Sequence, residues 1–227
     1  MRIGLLFLLS LWVQEGFASS ALRGRLQSQL RTWDVLAVSP INGGIQHVAV
    51  VCNDGPGQIQ IFEATPNPLF EKVIERPLDK FLASYSNHQV NVLRAKEPAL
   101  AKLASVDLCT IFRDKYRGSP YNFAMRWDHE ETVWQDNQPV RKKAYYCSQL
   151  LFNLFEEANL PLVHINLRMQ FVNADFAIAI IKSHNFEVPY GLPGVAPANF
   201  ANDNFDNLGP LIDSDISRDY GLQQSYY

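Results

Sequence analysis

Three runs rich in β-branched and apolar residues fall within residues 32–64, separated by connections only a few residues long. "TWDVLAVSPI" (32–41) stops at "NGG", "IQHVAVVC" (45–52) at "NDGPG", and "QIQIFEA" (58–64) at "TPNP". Such runs, punctuated by Gly, Pro, Asn and Asp, form strands. A short helix is expected over Arg76 to Tyr85, with Pro77 in its first turn, and "HQVNVLRA" (88–95) is a fourth strand. Beyond it the period changes. Leu100, Leu103, Ala104, Leu108, Ile111 and Phe112 mark a helical stripe that starts near Pro98 and ends at Gly118. In "KKAYYCSQLLFNLFEEANLP" (142–161), Cys147, Leu151, Leu154, Phe155 and Ala158 share one face of a further helix. Strands followed by helices predict an α+β fold, a small antiparallel sheet packed against helices.

The ends read differently. Arg2 and the apolar run Ile3–Val13, followed by small residues near Ala18 to Ser20, have the form of a secretory signal peptide over residues 1–20. One domain is expected over 21–188. From residue 189 the chain is rich in Pro, Gly, Asn and Asp, and an irregular C-terminal tail or packed arm is expected to residue 227. No later segment is apolar for long enough to cross a membrane. The formal charge of −3 argues against a nucleic-acid partner, which would call for a basic groove. "RKK" (141–143) reads as a solvated turn. No internal repeat, glycine-rich phosphate loop or paired-cysteine metal motif is present, and "WDHEET" lacks a second histidine at helical spacing from His129. Neither a cofactor nor a metal is expected. Oligomeric state is not legible.

Three cysteines, Cys52, Cys109 and Cys147, leave at least one unpaired. One pair could bridge, or all three could be reduced; Cys109 lies near the apolar stripe of its helix. An odd thiol in an exported protein calls for a reason, and nucleophilic chemistry supplies one. Cys147 opens its helix, where free N–H groups and the positive dipole end stabilise a thiolate. The same geometry equally suits a buried small side chain.

A nucleophilic thiol needs a base. Of five histidines, His88, His129, His164 and His184 lie at strand starts, in charged sequence or in aperiodic sequence, whereas His47 lies inside a strand of small and β-branched residues. Alternation sets His47, Ala49 and Val51 on one face, with Val48, Val50 and Cys52 on the other, so Cys52 is expected outside any pocket around His47. A five-residue connection over Asn53 to Gly57 sets Cys52 opposite Gln58 and His47 opposite Glu63. That carboxylate could orient the imidazole, or the two could form an ordinary cross-strand pair.

"HVAVV" (47–51), "FEA" (62–64), "SPYN" (119–122) and "YYCSQLLF" (145–152) resemble the permuted branch of the NlpC-like, papain-like cysteine hydrolases, with YiiX-type proteins the nearest in kind. The resemblance runs from about Thr32 to Leu160. It implies a circularly permuted papain-like fold in which the histidine precedes the cysteine. By resemblance Cys147 is the nucleophile, His47 the base and Glu63 the acidic residue beside it. Tyr146, Ser148 and Tyr121 line the oxyanion or substrate pocket. Gln149 stands where many relatives carry glutamate, and Trp33 where a glycine often precedes the first strand's aspartate. The implied activity is that of a bacterial, secreted or periplasmic thiol hydrolase cleaving an amide or ester through an acyl-enzyme. Peptidoglycan fragments or a lipid or acyl group are the implied substrates. A lipid ester hydrolase, an acyltransferase and a non-catalytic secreted binding module are the alternatives.

Overall fold

Pairing through the short connections builds a six-stranded antiparallel sheet in spatial order β4-β3-β2-β1-β5-β8. Its strands are β1 (Val35–Pro40), β2 (His47–Asn53), β3 (Ile59–Thr65), β4 (Lys72–Pro77), β5 (His88–Ala95) and β8 (Phe205–Pro210). A separate hairpin joins β6 (Glu130–Gln135) to β7 (Gln138–Lys143). The helices are α1 (Leu78–Ser84), α2 (Ala99–Leu103), α3 (Leu108–Lys115), α4 (Cys147–Glu157) and α5 (Asp175–Ser183). The computed structural model describes residues 28–211 other than 41–42, 56–57, 68, 70, 167 and 170–174. The signal-peptide reading and the tail beyond residue 211 lie outside the described residues. The fold is α+β, as expected.

Because side chains alternate along each strand, the sheet separates two apolar clusters. Val35, Ala37, Val48, Val50, Cys52 and Phe62 pack with α3 and α4, where the Phe62 and Phe112 rings stack 3.8 Å apart. Leu36, Val38, Ala49, Val51 and Ile61 pack on the opposite face with Leu78 and Phe81 of α1. Cys52 therefore faces α4 and shares its cluster with Cys147. Its sulfur is nevertheless engaged, in a disulfide to Cys109 of α3.

Several elements depart from expectation. β4 is a strand that "KVIERP" hides, because its alternation places Glu75 and Arg76 among the apolar residues. The long helix expected after Pro98 breaks into α2 and α3, since Asp107 accepts from the Thr110 N–H and caps a fresh start. "RKK" lies in β7 rather than a turn; the turn is Asp136-Asn137, both at positive φ as a two-residue hairpin requires. The segment from 189 does not stand apart from the domain: Tyr190–Leu192 and Gly194 hydrogen-bond within it, and β8 pairs with β5 along the sheet edge.

Trp33 has φ 76°, in the left-handed region that glycine occupies without cost. Here burial of the indole offsets the strain: the side chain packs 5.4 Å from Phe155 and donates Nε1–H to the Val106 carbonyl. The turn so formed sets Asp34, 1% exposed, to receive Arg94 from β5 at 2.8 and 2.7 Å. Trp33→Gly should relieve roughly 1–2 kcal/mol of backbone strain and forfeit about 3–5 kcal/mol of packing. A net loss of stability is expected in urea unfolding.

Candidate active site

The ladder between β2 and β3 runs from Asn53↔Ile59 to Val50↔Phe62. Its register differs from expectation by two residues. β2 continues through Asn53, so the connection is Asp54–Gln58, closed by Asp54 N–H to Gln58 O at 3.4 Å. Cys52 thus faces Gln60 rather than Gln58, and Glu63 comes level with Ala49 rather than His47. A shift by an even number keeps every side chain on its face. His47 and Glu63 remain neighbours on one face, diagonal instead of opposite. His47 Nε2 lies 2.7 Å from Glu63 Oε2, which leaves Nδ1 as the ring nitrogen free for another partner.

That partner is Cys147. The two groups are near enough for charge and hydrogen bonding to shift each other's pKa, and the backbone N–H groups of Val48 and Ser148 act on the thiol in the same direction as His47. The placement follows from local structure. Val51 N–H bonds Asp34 O toward β1, so Val48 N–H, three residues back, points toward β3 beyond the end of their ladder. Cys147 is the first residue of α4, whose leading N–H groups have no intrahelical acceptor. Both side chains are buried, at 6% and 8% exposure.

Burial opposes charge on both groups, and their mutual attraction reverses it. For His47, desolvation alone would lower the pKa, but the Cys147 thiolate and then Glu63 raise it from 6.5 to about 9. For Cys147, desolvation would raise the pKa, while the His47 charge and hydrogen bond and the two backbone amides bring it below the ordinary thiol value. Each group thus favours the charged form of the other.

The remaining expected residues divide. Tyr121 is buried, and burial, then the charge of Cys147, holds its phenol protonated well beyond the ordinary range. It is placed by Tyr121 N–H to Glu71 O and Tyr145 N–H to Pro120 O, which lay "SPYN" along the outer edge of β4 beside Tyr145. Tyr146 is buried next to Cys147, its hydroxyl accepting from Val195 N–H at 3.1 Å. The Ser148 hydroxyl is not in the pocket: it donates to the Val195 carbonyl at 2.6 Å, leaving only its backbone N–H at the sulfur. The residues flanking Cys147 thus grip Val195 from both sides. Gly194 permits this, since a Cβ there would stand 2.3 Å from the Met169 sulfur. Gln149 is a packing residue, bonding Asn122 at 3.1 Å and the Trp127 carbonyl at 2.8 Å.

Sequence reasoning did not connect three further groups with His47 and Glu63. Arg76 Nη2 stands 2.5 Å from Glu63 Oε1, and the Tyr85 hydroxyl donates to Oε2 at 3.3 Å. Tyr85 also stacks on the His47 ring. His88 lies close enough for the charge of His47, after burial, to lower its pKa. Recognising β4 would have revealed Arg76, because Glu63 pairs with Ile74 and Ile61 with Arg76. The other histidines lie elsewhere: His129 bonds Glu131 at 2.6 Å, and His184 stacks on Phe123.

The sequence model of a family described as "Permuted papain-like amidase enzyme, YaeF/YiiX, C92 family" matches residues 26–205. The chain belongs to that family, and it is a hydrolytic enzyme of the papain-like amidase type. No curated protein and no solved structure matches it.

The ion pair exists only above the lowered pKa of Cys147 and below the raised pKa of His47. Activity against pH should therefore be a bell whose alkaline limb falls near pH 9 and whose acid limb lies below the ordinary thiol range. Initial rates across pH 4–10 would measure both limbs.

Proposed function

We propose that the protein cleaves amide bonds through an acyl-enzyme formed on Cys147. The observation that carries this reading is a free, buried thiol at a helix start, within reach of an imidazole whose other nitrogen is held 2.7 Å from a carboxylate. The Cys147 thiolate attacks the carbonyl carbon, and the oxyanion is stabilised by the Cys147 N–H at the start of α4, with the neutral phenols of Tyr146 and Tyr121 as nearby donors. As the tetrahedral intermediate collapses, the C–N bond breaks and His47 gives its proton to the leaving amine. Water, deprotonated by His47, then attacks the thioester and releases the acid, restoring the thiolate. Glu63 orients the ring and balances the imidazolium without itself reacting.

The family's amidase description supports an amide over an ester, and short cell-wall peptides are the first substrates to try. We place the protein outside the cytoplasm of a bacterial cell. The Cys52–Cys109 disulfide supports an oxidising compartment, in keeping with the signal-like residues 1–20. Transfer of the acyl group to a second amine or hydroxyl would use the same thioester.

Cys147→Ser should abolish turnover with the fold intact, and His47→Ala should lower kcat/KM by roughly 10³-fold or more, because the two act as a unit. Glu63→Gln should cost less, about 10–100-fold, as an orienting group. Peptidoglycan digests and a panel of acyl amides and lipid esters, incubated with wild type and the serine variant, should show Cys147-dependent products from amides. Products from esters alone would redirect the assignment to an acyl-ester hydrolase. No product anywhere, with Cys147 unreactive, would leave a binding module. Brief iodoacetamide treatment of the native protein, read by peptide mass spectrometry, should modify Cys147 alone, and only while His47 is present.

A further inference from the structure

The charged groups of the site form a line of alternating sign. Cys147 meets His47; His47 Nε2 meets Glu63 Oε2 at 2.7 Å; Glu63 Oε1 meets Arg76 Nη2 at 2.5 Å. Glu63 has no solvent-exposed side chain at all, and Arg76 is 13% exposed. The guanidinium is held on its other sides too. Nη1 donates to Ser84 Oγ at 2.7 Å, and the Phe81 and Tyr85 rings lie 5.0 and 5.7 Å from its central carbon. Arg76 Nε and Glu63 Oε1 lack hydrogen-bond geometry, so charge rather than a two-pronged fork couples the pair.

We propose that Arg76 is the fourth member of the site, a positioning residue whose charge lets Glu63 and Cys147 be anionic at the same time. The proposal rests on the Cys147–His47 reading above. Two buried anions with one imidazolium between them would leave a net negative charge out of water, and a low-dielectric site sheds such a charge by taking up a proton. The thiolate is the group that gives way, because Glu63 keeps both the His47 hydrogen bond and the Tyr85 hydroxyl. The other titratable groups facing this line do not supply a cation. Tyr85, Tyr121 and Tyr146 are all held as neutral phenols, first by burial. His88 is held toward its neutral form by burial and by His47. The guanidinium is thus the second cation for the second anion. β4 brings it there from the strand beside Glu63, and α1 supplies the Phe81 face that keeps it aimed.

The experiment reads the thiolate directly, with no substrate, as the rate of Cys147 alkylation by iodoacetamide between pH 4 and 10. Arg76→Met should slow alkylation roughly tenfold or more at pH 7, one pKa unit of thiolate or greater, and approach wild type at high pH. Arg76→Lys, which keeps the charge, should retain the wild-type profile while lowering kcat through looser placement of Glu63. The decisive variant is the double one, Glu63→Gln with Arg76→Met. It removes one anion together with one cation, leaving a neutral thiolate–imidazolium pair, and should regain alkylation to within about threefold of wild type at pH 7. A residue needed only for folding would show no such suppression. Near-UV circular dichroism would accompany each variant. A wild-type profile in folded Arg76→Met, or a double variant as slow as the single one, overturns the proposal. If Arg76→Met does not fold, a profile raised by a unit or more in folded Arg76→Lys overturns it instead. A wild-type Cys147 that labels no faster at pH 7 than an ordinary thiol would overturn the parent reading, and this proposal with it.

Discussion

A charged imidazole out of water is tolerable only with an anion on each side, and the architecture around His47 supplies both. The ring lies at the first position of β2, beyond the end of the pairing with β3. There the sheet no longer shields one face from the other. Cys147 at the start of α4 and Glu63 of β3 can both act on the same side chain. Were His47 two residues further along, in the paired part of the strand, the ring would lie under α1 with Ala49 and Val51. The geometry around His47 depends on where a ladder stops as much as on which residues it contains.

The sheet acts as a partition between two environments. On the α4 side, an apolar cluster of Val48, Val50, Phe62, Leu151 and Phe155 seats the helix that begins at Cys147. On the α1 side, Glu63, Arg76 and Tyr85 form a polar cluster at the end of an otherwise apolar face. Glu63 thereby meets His47 with one oxygen and Arg76 with the other. Burial strengthens every member of that line by excluding water. The same burial would make any one of them costly if its neighbour were removed.

Distant contacts keep this arrangement rigid. The Cys52–Cys109 disulfide fastens the far end of the histidine strand to α3, and Asp34 with Arg94 clamps β1 to β5. Val195, from a segment late in the chain, is held by Tyr146 and Ser148 on either side of Cys147. The reversed order of histidine and cysteine in a permuted papain-like chain carries no chemical penalty, because catalysis depends on distances and fields and not on chain direction.

Some of this was legible in the residues themselves. The strands β1, β2, β3 and β5 and the helix at Cys147 show strong periodicity, and the choice of His47 and Glu63 rests on side-chain alternation. An error of two residues in register still left the two side chains neighbours on one face, because parity is what alternation encodes. Which cysteines pair, where α2 gives way to α3, and that Arg76 meets Glu63 were not legible. β4 and β7 conceal themselves because their charged residues find partners across space: Glu75 in Arg113, Arg76 in Glu63 and Arg141 in Glu130. The late segment reads as irregular because β8, "FDNLGP", has almost no strand pattern and is held by the edge of β5 that it covers. The sequence by itself determined the local periods and the reactive residue types. Tertiary structure decided which charges meet, since an ion pair between strands leaves no periodic trace in either one.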